Sequence, residues 1–307
     1  MDIDVKSWRA RRYYTIFAFL VSILLLGWGA FVTSINAGMA VPDWPTSLDS
    51  YDPFNPWPEW WKITPVLAEH GHRLLGALVG LFTVGLTIWT WVADDRLWMK
   101  RLGVAALVLV MAQGILGGLR VVLVSLDLAV VHAMVAQLYF SLLAAMILFV
   151  SPLWARITTS DLPFDGKAVT RFALGVSGAV YFQIFLGALL RHPGTGINPM
   201  YATFHISFAV IATIAVVRLW LKLKNNFPEE IDILLIARRM HYVLGVQLSL
   251  GIFAYFVLLD ERGVTQPSNV QVIINSAHLI VGALLFASTV LLAIAVSRRA
   301  RSSSSIS

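Results

Sequence analysis

Four histidines are the side chains of this sequence best suited to chemistry. His72, His132, His205 and His278 each lie near one end of a long apolar stretch. Imidazole titrates near neutral pH and is the commonest metal ligand in proteins. An ionisable side chain is costly inside a bilayer and usually faces the interior of a helix bundle. One such histidine can be a hydrogen-bonded packing residue, but four at comparable positions indicate a shared function.

The spacing of these histidines predicts two facing pairs, His72 with His132 and His205 with His278. Two imidazoles on facing helices of a four-helix unit can hold a haem iron from both sides. Several glycines would let a flat macrocycle lie close to the helix backbones, although ordinary helix packing accounts for any one of them. They are Gly76, Gly117, Gly187, Gly251 and Gly282.

Only one of the two pairs has a carboxylate beside it. Glu69 precedes His72 by three residues, so on a helix both side chains share one face. Glu69 can accept a proton there, or stabilise positive charge on a bound substrate. The alternative is a simple favourable contact with the helix N-terminus. We therefore expect a catalytic N-terminal half and a cofactor-holding C-terminal half.

Three arginines, Arg73, Arg120 and Arg191, lie near the same ends of the apolar stretches. A guanidinium group can bind a haem propionate through two hydrogen bonds. Arg73 adjoins the first pair and is assigned to it. For the other two, extension of the side chain to the membrane interface is an equally good explanation. The remaining histidines, interpreted as surface or packing residues, are His70, His192 and His241.

The elements that carry these residues must be membrane helices. Hydrophobic residues make up 58% of the chain and charged residues 13%, with a mean hydropathy of +0.76. The stretches long enough to cross a bilayer are 13–35, 70–92, 102–120, 128–151, 169–190, 200–221, 239–259 and 271–296. The first is too long for a signal peptide and is expected to be retained.

The distribution of basic residues predicts the orientation of these helices. With the N-terminus in the cytoplasm, 18 Lys and Arg residues fall on the inner side and 5 on the outer side. This bias places both termini in the cytoplasm and the four histidines near the outer face of the cell membrane. The net charge of +6 therefore reflects membrane topology, and no nucleic-acid partner is expected.

The chain also contains an internal repeat. Gln113 follows His72 by 41 residues and Gln247 follows His205 by 42, and each glutamine precedes a glycine by four residues. We therefore expect an all-α polytopic membrane protein whose eight transmembrane helices form two pseudo-symmetric four-helix bundles. The predicted parts are an N-terminal half (1–151), a cytoplasmic linker (152–168) and a C-terminal half (169–307).

Two further features narrow the chemistry. The chain contains no cysteine, which excludes disulfides, iron–sulfur clusters and covalently attached c-type haem. The segment 38–68 is rich in proline and tryptophan and too interrupted for a membrane-spanning helix. Its aromatic residues favour an interfacial lid over the first site.

These residues together resemble haem A synthase. The resemblance rests on Asp43-Trp44-Pro45, on Glu69-x-x-His72-Arg73 and on the three further helix-borne histidines. It extends from about residue 15 to 296. Many members of that family carry a cysteine pair in an outer loop of the N-terminal half, and this chain has none, so a thiol relay there is excluded.

The resemblance implies oxidation of the C8 methyl group of haem O to a formyl group by successive hydroxylations, giving haem A for cytochrome oxidase. It implies that His205 and His278 bind a resident haem b, that His72 and His132 flank the substrate haem O, and that Glu69 is the essential carboxylate. The enzyme would lie in the bacterial inner membrane. Haem O synthase, an electron acceptor and a second copy of the chain remain open as partners.

Two other functions fit parts of the pattern. A dihaem b-type electron carrier accounts for four histidines but not for Glu69. A haem-binding or transport protein without catalysis needs an opening pathway and no redox turnover. The prenyltransferase that makes haem O needs clustered aspartates for magnesium and pyrophosphate, and the short pair Asp94-Asp95 does not meet that need.

Overall fold

The computed structural model describes residues 5–55, 57–157, 166–191, 198–260 and 267–304, and these residues are mostly helical. Within those ranges there are ten helices and no strand, apart from an isolated bridge between Ser47 and Ser50. In chain order the helices are α1 (Val5–Ser34), α2 (Glu59–Lys62), α3 (Thr64–Ala93), α4 (Leu97–Val122), α5 (Leu126–Phe149), α6 (Pro152–Arg156), α7 (Gly166–Arg191), α8 (Pro199–Asn226), α9 (Ile231–Asp260) and α10 (Asn269–Ser304).

Eight of these helices are long and apolar enough to cross a membrane, and they confirm the predicted all-α polytopic fold. Seven are longer than the apolar stretches that predicted them, and α5 equals its stretch in length but begins two residues earlier. α3, for example, begins at Thr64 with a proline in its first turn, where a missing N–H costs nothing. The apolar stretch marks only the part of a helix that lies in hydrocarbon, whereas polar residues extend the helix into the interface.

The long helices pack in two rings of four. α1, α3, α4 and α5 form one ring, and α7, α8, α9 and α10 form the other. Each ring has its own apolar core, centred on residues such as Leu143 in the first and Leu219 in the second. The rings meet along α1, α5, α7 and α10, where stacked Phe19 and Phe140 pack beside Ala283.

Buried ion pairs join the helix ends remote from the histidines. Arg11 of α1 lies 2.8 Å from Asp94, which also binds Arg96 at 2.7 Å. Burial acts to raise the pKa of Asp94, but its hydrogen bonds and charge contacts with Arg96 hold the pKa below its ordinary value. Arg299 binds Glu230 at 2.8 Å in the second ring. Each buried charge therefore has a partner of opposite sign, as burial requires.

Some predicted features lie outside the described residues. They are the centre of the linker (158–165) and His192. The described start of the linker is the short helix α6.

Candidate functional site

The four predicted histidines meet as two pairs. The ring centres of His72 and His132 are 6.4 Å apart at an interplanar angle of 76°. Those of His205 and His278 are also 6.4 Å apart, at 78°. Each histidine lies within the first ten residues of its helix, so both pairs lie toward the same helix ends. We call them the first pair and the second pair.

A glycine of the preceding long helix supports each ring. A methyl group added to that glycine would lie 3.0 to 3.2 Å from the ring carbon Cε1. Any larger residue would therefore push the imidazole out of place. The contacts are Gly29 with His72, Gly117 with His132, Gly187 with His205, and Gly251 with His278. Of the other two predicted glycines, Gly76 has no atom within 4 Å of such a methyl group, and Gly282 contacts Gln247.

Glutamines one helical turn before three of these glycines contact the histidines. The side-chain Nε2 of Gln113 donates a 2.9 Å hydrogen bond to the backbone carbonyl of His132. Gln183 makes the same 2.9 Å bond to the His205 carbonyl, and its Nε2 also lies 3.1 Å from Nδ1 of that ring. Gln247 Nε2 lies 3.3 Å from Nε2 of His278.

The geometry of both pairs fits a haem iron. A metal–imidazole bond is about 2 Å long, so rings on opposite sides of one metal ion have centres about 6 Å apart. Zinc usually needs four ligands in a tetrahedron. The described ranges contain no cluster of three or more His, Cys, Asp or Glu that could hold a bare ion. A haem requires only axial ligands from the protein, and a pair of imidazoles meets that requirement.

Glu69 is buried beside the first pair, with 2% of its surface exposed. Its Oε2 accepts a 2.9 Å hydrogen bond from the backbone N–H of Val41, and its Oε1 lies 3.0 Å from Arg73. Arg73 also donates to the carbonyls of Val41, Asp43 and Thr46 at 2.6 to 3.1 Å. The Arg73 guanidinium, predicted to contact haem, is thus bonded to the chain between α1 and α3 in this structure.

The connection between α1 and α3, residues 35–63, is attached to the first helical turns of α3; we call it the α1–α3 loop. His70, interpreted from the sequence as a surface or packing residue, has 1% of its surface exposed. Its Nδ1 lies 2.7 Å from Ser47 Oγ and its Nε2 2.9 Å from the Pro53 carbonyl, and its ring packs edge-on to Trp60. Glu69, His70 and Arg73 therefore all form hydrogen bonds with this loop.

Within this loop Trp44 reaches the helix that supports the first pair. Gly118, next to Gly117 in α4, lies against the Trp44 indole so closely that an added methyl group would come within 2.2 Å of it. Arg120 donates a 3.3 Å hydrogen bond to the Gly38 carbonyl on the same side. The loop thus contacts α4 next to Gly117, the glycine that supports His132.

The Arg191 guanidinium contacts two neighbouring long helices. It donates to the carbonyl of Ala30 at 2.8 Å and to that of Asn275 at 3.3 Å, and it also bonds Ser34. These partners belong to α1 and α10. Arg191 therefore joins the two helix rings at their histidine-bearing ends.

Sequence reasoning identified the histidines but did not assign contacts to Gly29 or to the three glutamines. The recurring Gln-x-x-x-Gly pattern was a usable signal, because Gln113, Gln183 and Gln247 each precede a glycine by four residues. That pattern served only to mark the repeat. Gly29 lacks this signal, since Leu25 occupies the position four residues before it.

Several haem A synthases are similar to this chain in sequence. The chain is similar to haem A synthases from Lysinibacillus sphaericus (30% identical, covering 60% of this chain and 59% of the relative) and Geobacillus kaustophilus (27%, covering 60% and 57%). It is also similar to that of Symbiobacterium thermophilum (29%, covering 65% and 71%). The match spans less than two thirds of the first two relatives. A family model described as cytochrome oxidase assembly protein, COX15-CtaA, matches residues 11–204, more than half of the chain. The chain therefore belongs to the haem A synthase family.

Proposed function

We propose that this protein is a haem A synthase, which oxidises the C8 methyl group of haem O to a formyl group by successive hydroxylations. The observation that carries the proposal is an asymmetry between two otherwise matched histidine pairs. Both pairs have ring centres 6.4 Å apart. Among the described residues, only the first has a buried carboxylate, Glu69, one helical turn away. Two similar binding sites with one reactive group suit one substrate and one resident cofactor.

The second pair would hold the cofactor, a haem b ligated by His205 and His278. When bound, haem b supplies one-electron redox chemistry. Gln183 contacts the His205 ring nitrogen and Gln247 that of His278, and such contacts orient metal-binding imidazoles. The match to the family ends at residue 204, before both His205 and His278, so the proposal for the second pair rests on the geometry of its two rings.

The first pair, His72 and His132, would flank the substrate haem O. Glu69 would accept a proton or stabilise positive charge near the reacting methyl group. Arg73 forms an ion pair with Glu69, which keeps the carboxylate oriented. The Arg73 guanidinium would also bind the substrate haem at the first pair. The α1–α3 loop would limit the access of water to this site, which strengthens the electrostatic interactions there.

We further propose that both termini lie in the cytoplasm and that both pairs lie near the outer face. The excess of Lys and Arg in the segments on the side of the termini supports this orientation. The proposed division into an N-terminal half (1–151), a linker (152–168) and a C-terminal half (169–307) agrees with the two helix rings. Conversion of the methyl group to a formyl group also needs an oxidant and a source of oxygen, and an electron acceptor remains open as a partner.

The second candidate is a dihaem b-type electron carrier. The equal spacing of the two pairs favours it, because two similar sites can pass electrons between like cofactors. It assigns no task to Glu69, whose burial is then only structural. The two functions differ in one product, since a carrier leaves haem O unchanged.

The test is expression in a host that makes haem O but lacks haem A synthase, followed by chromatography of the extracted haems. We expect haem A or its hydroxylated intermediate. Glu69→Gln keeps the side-chain volume and an oxygen for the Val41 N–H but removes the charge, so it should retain haem b and lose conversion. The control is Glu59→Gln, because the Glu59 side chain is 60% exposed. Full conversion of haem O by Glu69→Gln would show that Glu69 is not needed for the reaction. Unchanged haem O in cells that express the unmodified chain would refute the proposed haem A synthase activity.

A further inference from the structure

The surroundings of the four histidines differ in one respect that the proposed reaction does not explain. Three of them, His132, His205 and His278, are contacted by a glutamine amide from the preceding long helix. The supporting glycine lies four residues after that glutamine in each case. The helix that supports His72 has Leu25 at the corresponding position, four residues before Gly29. Leu25 packs against the apolar core of the first helix ring.

A glutamine at this position restrains its histidine in two ways. Its Nε2 bonds the backbone carbonyl of His132 and of His205, which ties the ligand helix to the supporting helix. For Gln183 and Gln247 the amide also lies within 3.3 Å of a ring nitrogen. Their Oε1 atoms are buried and have no hydrogen-bond partner in the described ranges. Such an oxygen can accept the N–H of a ring whose other nitrogen binds a metal.

The space next to His72 differs accordingly. Gly282 follows His278 by four residues, and a methyl group added there would lie 3.1 Å from the Gln247 amide nitrogen. Gly76 follows His72 by four residues, and a methyl group there would have no atom within 4 Å. The space that the Gln247 amide fills next to Gly282 is therefore open next to Gly76, one helical turn from His72.

We propose that Gln113, Gln183 and Gln247 are positioning residues that hold His132, His205 and His278 as permanent ligands, and that Leu25 leaves His72 as the exchangeable ligand. The inference rests on the proposed function, in which the first pair takes a haem that must enter and leave. The second pair, with a glutamine on both sides, suits a resident cofactor. The first pair, with a glutamine on one side, would release its haem from the His72 side.

The test measures haem dissociation from the purified full-length protein by transfer to excess apomyoglobin. His72→Ala and His278→Ala assign the kinetic phases to the first and second pairs. Leu25→Gln supplies the missing amide and should slow release from the first pair on the order of tenfold, the scale on which outer-shell partners act. Leu25→Met is the matched control, because it keeps an apolar side chain of similar volume.

Gln183→Leu makes the opposite change and should speed release from the second pair on the order of tenfold. Gln183→Leu also tests whether the glutamine slows haem release if Leu25→Gln does not fold. Release rates in Leu25→Gln and Gln183→Leu that equal the unmodified protein's, with haem bound at both pairs, would overturn the inference and leave the proposed function intact. Failure of the unmodified protein to bind haem at either pair would overturn both.

Discussion

Replacing Gly187 by alanine should loosen haem from the second pair. The new methyl group would lie 3.0 Å from Cε1 of His205 and 3.4 Å from its Nδ1. Carbon atoms in ordinary contact are about 3.5 to 4.0 Å apart, so the ring must move by about 0.5 Å or more. Overpacking of this kind costs about 1 to 3 kcal/mol. If that cost falls on the liganded state, affinity for haem decreases on the order of tenfold.

A control in the same helix isolates the clash. Gly178 also lies in α7, and a methyl group added there has no atom within 4 Å. Gly178→Ala and Gly187→Ala both gain the helix propensity of alanine, about 0.5 to 1 kcal/mol. Only Gly187→Ala meets the ring. The assay is titration of haem-depleted protein with haem b, followed by absorbance.

The same comparison is available in α9, where Gly251 supports His278 and Gly245 has open space around it. Gly251→Ala should weaken haem binding to a similar extent, and Gly245→Ala should not. An affinity of Gly187→Ala equal to that of the unmodified protein would refute the reasoning, because the ring position would then be irrelevant to binding. Equal loss in both variants would instead indicate a general effect of alanine in α7.

Two further predictions concern the α1–α3 loop, and hydrogen–deuterium exchange of that loop measures both. Gly118→Ala should displace Trp44, whose indole would lie 2.2 Å from the new methyl group, and increase exchange; Gly114→Ala in the same helix, with open space around it, should not. Burial acts to raise the pKa of Asp43, but hydrogen bonds from Thr46 and the loop backbone hold it below 3.8. The ionised Asp43 carboxylate therefore stabilises the loop fully above pH 3.8, and this stabilisation is lost as the pH falls through the lowered pKa. Hydrogen–deuterium exchange of the loop, corrected for its intrinsic pH dependence, should rise in that acidic range and not between pH 5 and 7.

The membrane helices and the histidine pairing could both be predicted from the sequence. A bilayer forces every spanning segment to satisfy its own backbone, so eight apolar stretches predict eight helices. Seven of the eight ranges were too short because apolarity ends with the hydrocarbon while the helix does not. α3 begins at Thr64, and this extension places Glu69 in the same helix as His70 and Arg73.

The partners of the polar residues could not be predicted. Arg73 follows His72 in sequence and was assigned to the haem site, but its position gave no indication that its guanidinium also bonds three loop carbonyls. His70 was given no specific task, and it holds Ser47 and Pro53. Such contacts join residues that are distant in sequence through an irregular loop, and hydrophobic periodicity carries no information about them.

The sequence alone determined the number of helices, the placement of one histidine near the start of alternate helices, and the single carboxylate beside His72. Composition and spacing suffice for these, because the bilayer restricts both the kind of element and its length. The tertiary structure decided which glycine meets which ring and where the glutamine amides point. Those facts depend on the rotation and separation of neighbouring helices, which side-chain packing sets to within a few tenths of an ångström.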